Sequence, residues 1–261
     1  MRHLLVINPN TSEGVTHDLQ RQLQAALGTG VAVRSVTARF GAPYIADEAS
    51  YAVAAHATLD AWQRDQAMQL GQPLPTNPHA GTAPATSTIA TTADATRTGA
   101  VLIGCFGDPG LHALRECCTG PVTGLAEAAL AQAARLGDCA IVTGGDRWGP
   151  MLHRLCAGLP HGNRVKGTVT VALTGGQLRE DPATAESVLL AACQQALAQH
   201  PGVASLIIGG AALGGWAARL QNRMPLPLID SVLAGAWHAF NAPRGEGLGT
   251  PPWLLTGPSP G

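Results

Sequence analysis

Short apolar runs and longer amphipathic stretches alternate along most of the chain, a rhythm that predicts strands alternating with helices. The run Leu4-Leu5-Val6-Ile7 lies in a predicted strand from His3 to Asn8, and its unbroken apolar character fits a strand covered on both faces. An amphipathic helix is expected from Glu13 to Leu27, a second strand from Val31 to Thr37 and a second helix from Glu48 to Gln63. Further strands are expected at Ala100 to Gly104, Cys139 to Thr143, Thr168 to Leu173 and Ser205 to Ile208. Helices are expected at Leu125 to Leu136, Pro150 to Ala157, Pro182 to Gln199, Ala211 to Gln221 and Ser231 to Phe240, with another starting at Asp108-Pro109. This order predicts an α/β fold of mostly parallel sheet flanked by helices.

The rhythm breaks in two places. Arg64 to Arg97 is rich in Pro, Thr, Ala and Gly and carries no charge between Asp65 and Asp94. It reads as a long loop, either a surface insertion or part of a lid. Asn241 to Gly261, dense in Pro and Gly, reads as an extended tail.

Composition narrows the class of partner. The 261 residues are 46% hydrophobic and 13% charged, which suits a chain with a substantial core. Sixteen basic and 17 acidic residues give a net charge of −1, and no run of Lys or Arg marks a nucleic-acid or anionic-membrane surface. No apolar stretch approaches the ~18 residues of a membrane span, and the chain enters its first strand without a leader pattern, so a cytoplasmic protein is expected. The six cysteines show no CxxC spacing and no histidine at metal-ligand spacing, so most are expected to be buried apolar residues.

Four turns carry candidate chemistry. Two of them match: Val101-Leu102-Ile103-Gly104-Cys105-Phe106 and Leu206-Ile207-Ile208-Gly209-Gly210-Ala211 are each an apolar strand running into a small-residue turn. The first turn holds a thiol where the second holds glycine. Cys105 falls where a parallel strand ends, the usual place for ligands in open α/β sheets. Asp108 as cap and Pro109 as first residue would start a helix whose amides point back at the thiol and favour the thiolate. The alternative is a structural cysteine in a tight turn. Asn10, Thr11 and Ser12, after the first strand, offer a carboxamide, two hydroxyls and helix-start amides to a carboxylate or cyclic amide, or simply cap the helix. Thr143-Gly144-Gly145 reads as an anion nest or as a sharp turn. Glu127 is expected to be a surface carboxylate near a helix start, Asp230 to cap the last helix, and Cys117-Cys118 to be packing residues.

The segments Val6-Ile7-Asn8-Pro9-Asn10-Thr11-Ser12 and Ile103-Gly104-Cys105-Phe106-Gly107-Asp108-Pro109-Gly110 together resemble the aspartate/glutamate/hydantoin racemase superfamily, with hydantoin racemase the nearest branch. Pro121 to Ala128, Ala140 to Thr143 and Pro227 to Asp230 follow in the family's order. The resemblance implies two pseudo-symmetric lobes with the site in the cleft between them. Residues 1–119 with 217–242 would form the first lobe, 120–216 the second, and 243–261 the tail. It also implies a small-molecule substrate, catalysis without pyridoxal phosphate or metal, and a homo-oligomer. In the family one cysteine from each lobe flanks the substrate's α-carbon. Cys105 matches the first, and Gly210 stands where the second is expected. Phe106, Thr143, Gly144, Gly209 and Ala211 complete the expected substrate contacts. Cys139, Cys156, Cys193, His112 and His153 are candidates to serve the second face in place of that cysteine, and their spacing singles out none. A lone thiol also suits a hydrolase or lyase on the same scaffold, and a cleft without turnover would be a small-molecule binder.

Overall fold

A computed structural model describes residues 2–73 and 99–241. Most of the Pro- and Thr-rich stretch (74–98) and the tail (242–261) lie outside the described residues. The first sheet is built from β1 (Arg2–Asn8), β2 (Val31–Thr37), β3 (Ala100–Ile103) and β4 (Val122–Gly124), all parallel, in the order β2-β1-β3-β4. The second contains β5 (Cys139–Gly144), β6 (Val165–Val171), β7 (Ser205–Gly209) and β8 (Leu228–Asp230), also parallel, in the order β6-β5-β7-β8. The two orders are the same permutation, which gives the pair of sister lobes.

Helix positions follow from burial spacing and caps. In α1 (Glu13–Leu27) the buried residues Val15, Leu19 and Leu23 fall four apart on one face, and the Ser12 hydroxyl accepts from Val15 N at the start. In α2 (Glu48–Gln69), Asp47 and Ser50 form a reciprocal capping box. This helix continues six residues past the expected end at Gln63, because Ala67 and Asp65 are still buried on its inner face. The short α3 (Leu111–Cys117) precedes β4. In the second lobe lie α5 (Trp148–Gly158), α6 (Gly175–Glu180), α7 (Pro182–Gln199) and α8 (Trp216–Leu220).

Two helices join the lobes. The almost wholly buried α4 (Leu125–Ala133) leaves the first sheet's last strand and packs on β7 of the second sheet. The last helix, α9 (Ser231–Asn241), leaves the second sheet's last strand and packs on β3 and β4 of the first. The two also pack on each other, so one apolar cluster runs through both lobes, beside a second cluster confined to the second lobe.

Several expectations are corrected. β4 and β8 are three-residue strands, too short to show a period, and their pairing divides the chain differently from the expected 119/120 and 216/217 boundaries. β4 joins the first sheet and β8 the second. The sixth strand runs Val165–Val171, earlier than Thr168 to Leu173, since the start that pairs with Cys139 is only half-buried and hides its pattern. The expected helix from Ala211 to Gln221 is broken at Gly214-Gly215 into a short 3-10 turn, Ala211–Leu213, and α8.

Candidate active site

The C-terminal ends of β1, β3, β5 and β7 face one cleft between the lobes. Its wall includes Asn10, Cys105, Phe106, Thr143, Gly144, Gly209, Gly210 and Ala211, eight of the ten residues expected from sequence. Thr11 and Ser12 do not line it. Ser12 Oγ is spent on capping α1, and Thr11 N donates to Ala42 O at 3.1 Å.

The turn after β1 is held by buried carboxamides. Asn8 Nδ2 lies 2.9 Å from Asn10 Oδ1 and 3.0 Å from Ser12 O, and Ser12 N donates to Asn10 Oδ1 at 2.9 Å. Both lone pairs of the Asn10 oxygen are thus engaged, which leaves its amide nitrogen as the free end on the cleft wall.

The neighbouring turn carries Cys105. Gly104 N donates to Ile7 O at 2.7 Å, tying the end of β3 to β1, and Tyr51 Oη donates to Gly107 O at 2.7 Å. The thiol is 7% exposed. Burial pushes its pKa well above the ordinary thiol value, and the charge of Asp108 pushes it further in the same direction. The expected low-pKa thiolate is therefore corrected. The helix that would lower it starts at Leu111 behind a left-handed Gly110, and Asp108 itself sits at a positive φ of 51°.

Asp108 does cap a helix, but it is α4. Its two carboxylate oxygens accept from Ala126 N at 2.9 Å and Glu127 N at 2.8 Å. Burial nevertheless raises its pKa to about 7, against the opposing effect of those two amides. Glu127, expected on the surface, is buried; its carboxylate accepts from Arg115 Nη2 at 2.6 Å and Thr123 Oγ1 at 3.0 Å. Asp230 caps α9 as expected, accepting from Val232 N and Leu233 N, and also holds Gly215 N at 2.6 Å. Cys118 is half-buried but Cys117 is exposed, so the vicinal pair is only partly packing.

The opposite wall belongs to the second lobe. Thr143 Oγ1 donates to Gly209 O at 2.7 Å, so its hydroxyl oxygen is left as an acceptor. Gly210 N donates to Ser231 Oγ at 3.2 Å. Gly210 holds φ at 146°, and a Cβ there would also approach Leu213 Cγ to 3.2 Å. The glycine turn is therefore not the cysteine turn with its side chain trimmed; its backbone takes a course that L-residues avoid. Cys139, Cys156, Cys193, His112 and His153 all lie away from the cleft wall.

Sequence reasoning missed Tyr44, Ile45, Ala46 and Trp148, which close the cleft from one side. Their one visible signal was the presence of Tyr and Trp in chain breaks of an otherwise aromatic-poor sequence. Among the described residues no three His, Cys, Asp or Glu side chains are grouped to hold a metal ion. No helix among them is long and apolar enough to cross a membrane.

Two sister parallel sheets with a single cysteine at their shared cleft define a racemase-type α/β enzyme. The chain belongs to the Asp/Glu/Hydantoin racemase family, whose profile matches residues 4–239. It is 28% identical to the hydantoin racemase of Paenarthrobacter aurescens over 232 residues, 88% of this chain and 86% of that one. Its fold is similar to allantoin racemase from Klebsiella pneumoniae, with a TM-score of 0.74, 25% identity and coverage of 90% of this chain and 85% of that one. Arylmalonate decarboxylase shares the fold at a TM-score of 0.58 and 16% identity, over 94% of this chain and 93% of that one.

Proposed function

We propose that the protein takes the α-proton of a neutral, hydantoin-like ring with Cys105 as the base. The observation that carries this reading is the pairing of one thiol with a cleft whose wall, among the described residues, has no Asp, Glu, Lys, Arg or His side chain. An amino acid or dicarboxylate would enter such a site with its charges unpaired, at a cost of several kcal/mol per ion (an order-of-magnitude figure). A cyclic amide brings polarity without charge. Family membership and the similarity to a hydantoin racemase support the same substrate class.

In this reading the Cys105 thiolate removes the α-proton, forming S–H as C–H breaks, and the electron pair moves onto a ring carbonyl as an enolate. The free amide nitrogen of Asn10 would donate to that oxygen, and Thr143 Oγ1 would accept a ring N–H. Thr143-Gly144 and Gly209-Gly210-Ala211 would bound the ring, with Phe106 against its substituent. The raised thiol pKa makes thiolate scarce in the empty site but strongly basic once formed. Proton return from sulfur restores the starting configuration. Delivery from a water molecule standing at Gly210 gives the other enantiomer, and the hydroxide left behind takes the proton from the Cys105 S–H through solvent, restoring water and thiolate.

Proton NMR of 5-substituted hydantoins in D₂O, with optical rotation in parallel, tests this reading. The expected result is deuterium at the α-carbon that disappears in Cys105→Ala. Loss of rotation alongside exchange means that both faces are served; retained rotation means that Cys105 acts alone. Ring opening, or exchange that survives Cys105→Ala, would overturn the assignment.

A further inference from the structure

The segment Tyr44–Ala46 lines the same cavity as Cys105. Both of its ends are tied to the first lobe: Ala42 O accepts from Thr11 N at 3.1 Å, and Ala46 N donates to Ser50 Oγ at 3.1 Å. Its middle is tied to the second lobe. Trp148, at the first position of α5, donates from Nε1 to Ile45 O at 3.1 Å, and the Tyr44 ring lies over the α-carbon of Gly176.

Trp148 also touches the cysteine turn from behind. A side-chain carbon on Gly107 would lie 2.7 Å from its Cη2, and its ring meets Tyr51 edge-on with centroids 6.3 Å apart. Tyr51 in turn holds Gly107 O. Two ion pairs lie along the same seam, Arg154 with Glu48 at 2.6 Å and Arg147 with Asp47 at 3.6 Å. A single indole of the second lobe therefore contacts both the Tyr44–Ala46 segment and the backbone two residues after the thiol.

We propose that Trp148 is a positioning residue that latches the Tyr44–Ala46 segment across the cleft and so controls access to Cys105. The inference rests on the proposed Cys105 chemistry only for its kinetic consequence. The latch acts through one neutral hydrogen bond and the Tyr44–Gly176 contact, and substrate entry requires both to open. A ligand seated beside Ile45 and Phe106 would favour the latched state by adding contacts to both lobes.

Trp148→Phe removes the N–H and also the outer ring edge that reaches Gly107, so Tyr44→Leu, which leaves the Gly107 contact intact, is read beside it. Iodoacetamide labelling, resolved by peptide mass spectrometry, reads Cys105 directly, and the exposed Cys117 provides an internal control. The expected result is a rise of about five-fold in Cys105 labelling, the shift that follows loss of one neutral hydrogen bond, with Cys117 unchanged. Tyr44→Leu, which removes the other contact with the second lobe, should act in the same direction. On a 5-substituted hydantoin, Trp148→Phe should raise KM by a similar factor with kcat nearly constant. Unchanged Cys105 labelling in both variants with native circular dichroism would overturn the latch, as would a fall in kcat at constant KM. If labelling rises while no hydantoin is turned over by the unmutated protein, the latch stands and the substrate assignment falls.

Discussion

The ring of Phe106 lies directly on the α-carbon of Gly209, so the turn carrying the thiol and the turn carrying glycine touch across the cleft. Each lobe contributes one side of that contact, and neither sheet alone would bring the two together. Any side chain at position 209 must displace the ring. Gly209→Ala is therefore expected to destabilise the protein by about 1–3 kcal/mol, the usual range for overpacking, and to reduce turnover by moving Phe106. Urea unfolding beside hydantoin exchange rates would check it; an unchanged midpoint would show that the ring has room to retreat.

Placing a thiol on the glycine side should not be free. Gly210 at φ 146° places a new Cβ in a strained backbone region and 3.2 Å from Leu213 Cγ. Gly210→Cys is expected to lose about 1–3 kcal/mol of stability from the backbone alone. A thermal melt of the purified variant decides the matter, and a melting temperature equal to that of the parent would refute the strain.

Cys105 should respond to pH as a buried, high-pKa thiol. Its labelling rate is expected to climb steadily through pH 9 with no plateau near neutrality, since burial and Asp108 both hold the proton on sulfur. Removing the thiol as Cys105→Ala should lower exchange by about 10²- to 10⁴-fold, the typical cost of losing a positioned base. A labelling profile that levels off at pH 7 would contradict the burial argument.

Asp108 should make an unusual contribution to the pH dependence of stability. Its folded-state pKa is raised from 3.8 to about 7, so the folded state holds this proton more tightly than the unfolded chain. The stability this provides is fully present below about pH 4 and is lost as pH rises through about 7. Asp108→Asn, which tolerates the left-handed backbone, lacks that titration. The stability of the variant relative to the parent should therefore improve from pH 4 to pH 7, as read by urea midpoints at several pH values. A constant difference would place the true pKa near its ordinary value.

Much of this architecture is legible in residue order. The apolar runs at Leu4–Ile7, Val101–Ile103 and Leu206–Ile208 mark central strands because burial on both faces leaves no polar alternation to confuse the period. The turns after them were the natural candidates for a site, since the ends of parallel strands are where open α/β sheets place ligands. Cys105, Asn10, Thr143 and the Gly209–Gly210 turn were thus visible as candidates, and the pairing of thiol with glycine could be seen by aligning one half of the chain with the other. Local signals were misleading where a nearby explanation competed with a distant one. Asp108 before Pro109 looks like the cap of its own helix, yet its carboxylate reaches α4, 18 residues on. Glu127 looks like a surface charge, yet Arg115 and Thr123 come together to bury it.

The succession of strands and helices along the chain, the helix faces and the chemistry available at each turn are local properties, encoded by hydrophobic period and turn-forming residues. The pKa of Cys105, the positive φ of Gly210, and the meeting of Trp148 with Ile45 O arise between elements up to 103 residues apart. Desolvation, backbone strain and cross-lobe hydrogen bonds depend on what surrounds a group in space, and that surrounding exists only once α4 and α9 have brought the two sheets onto one core.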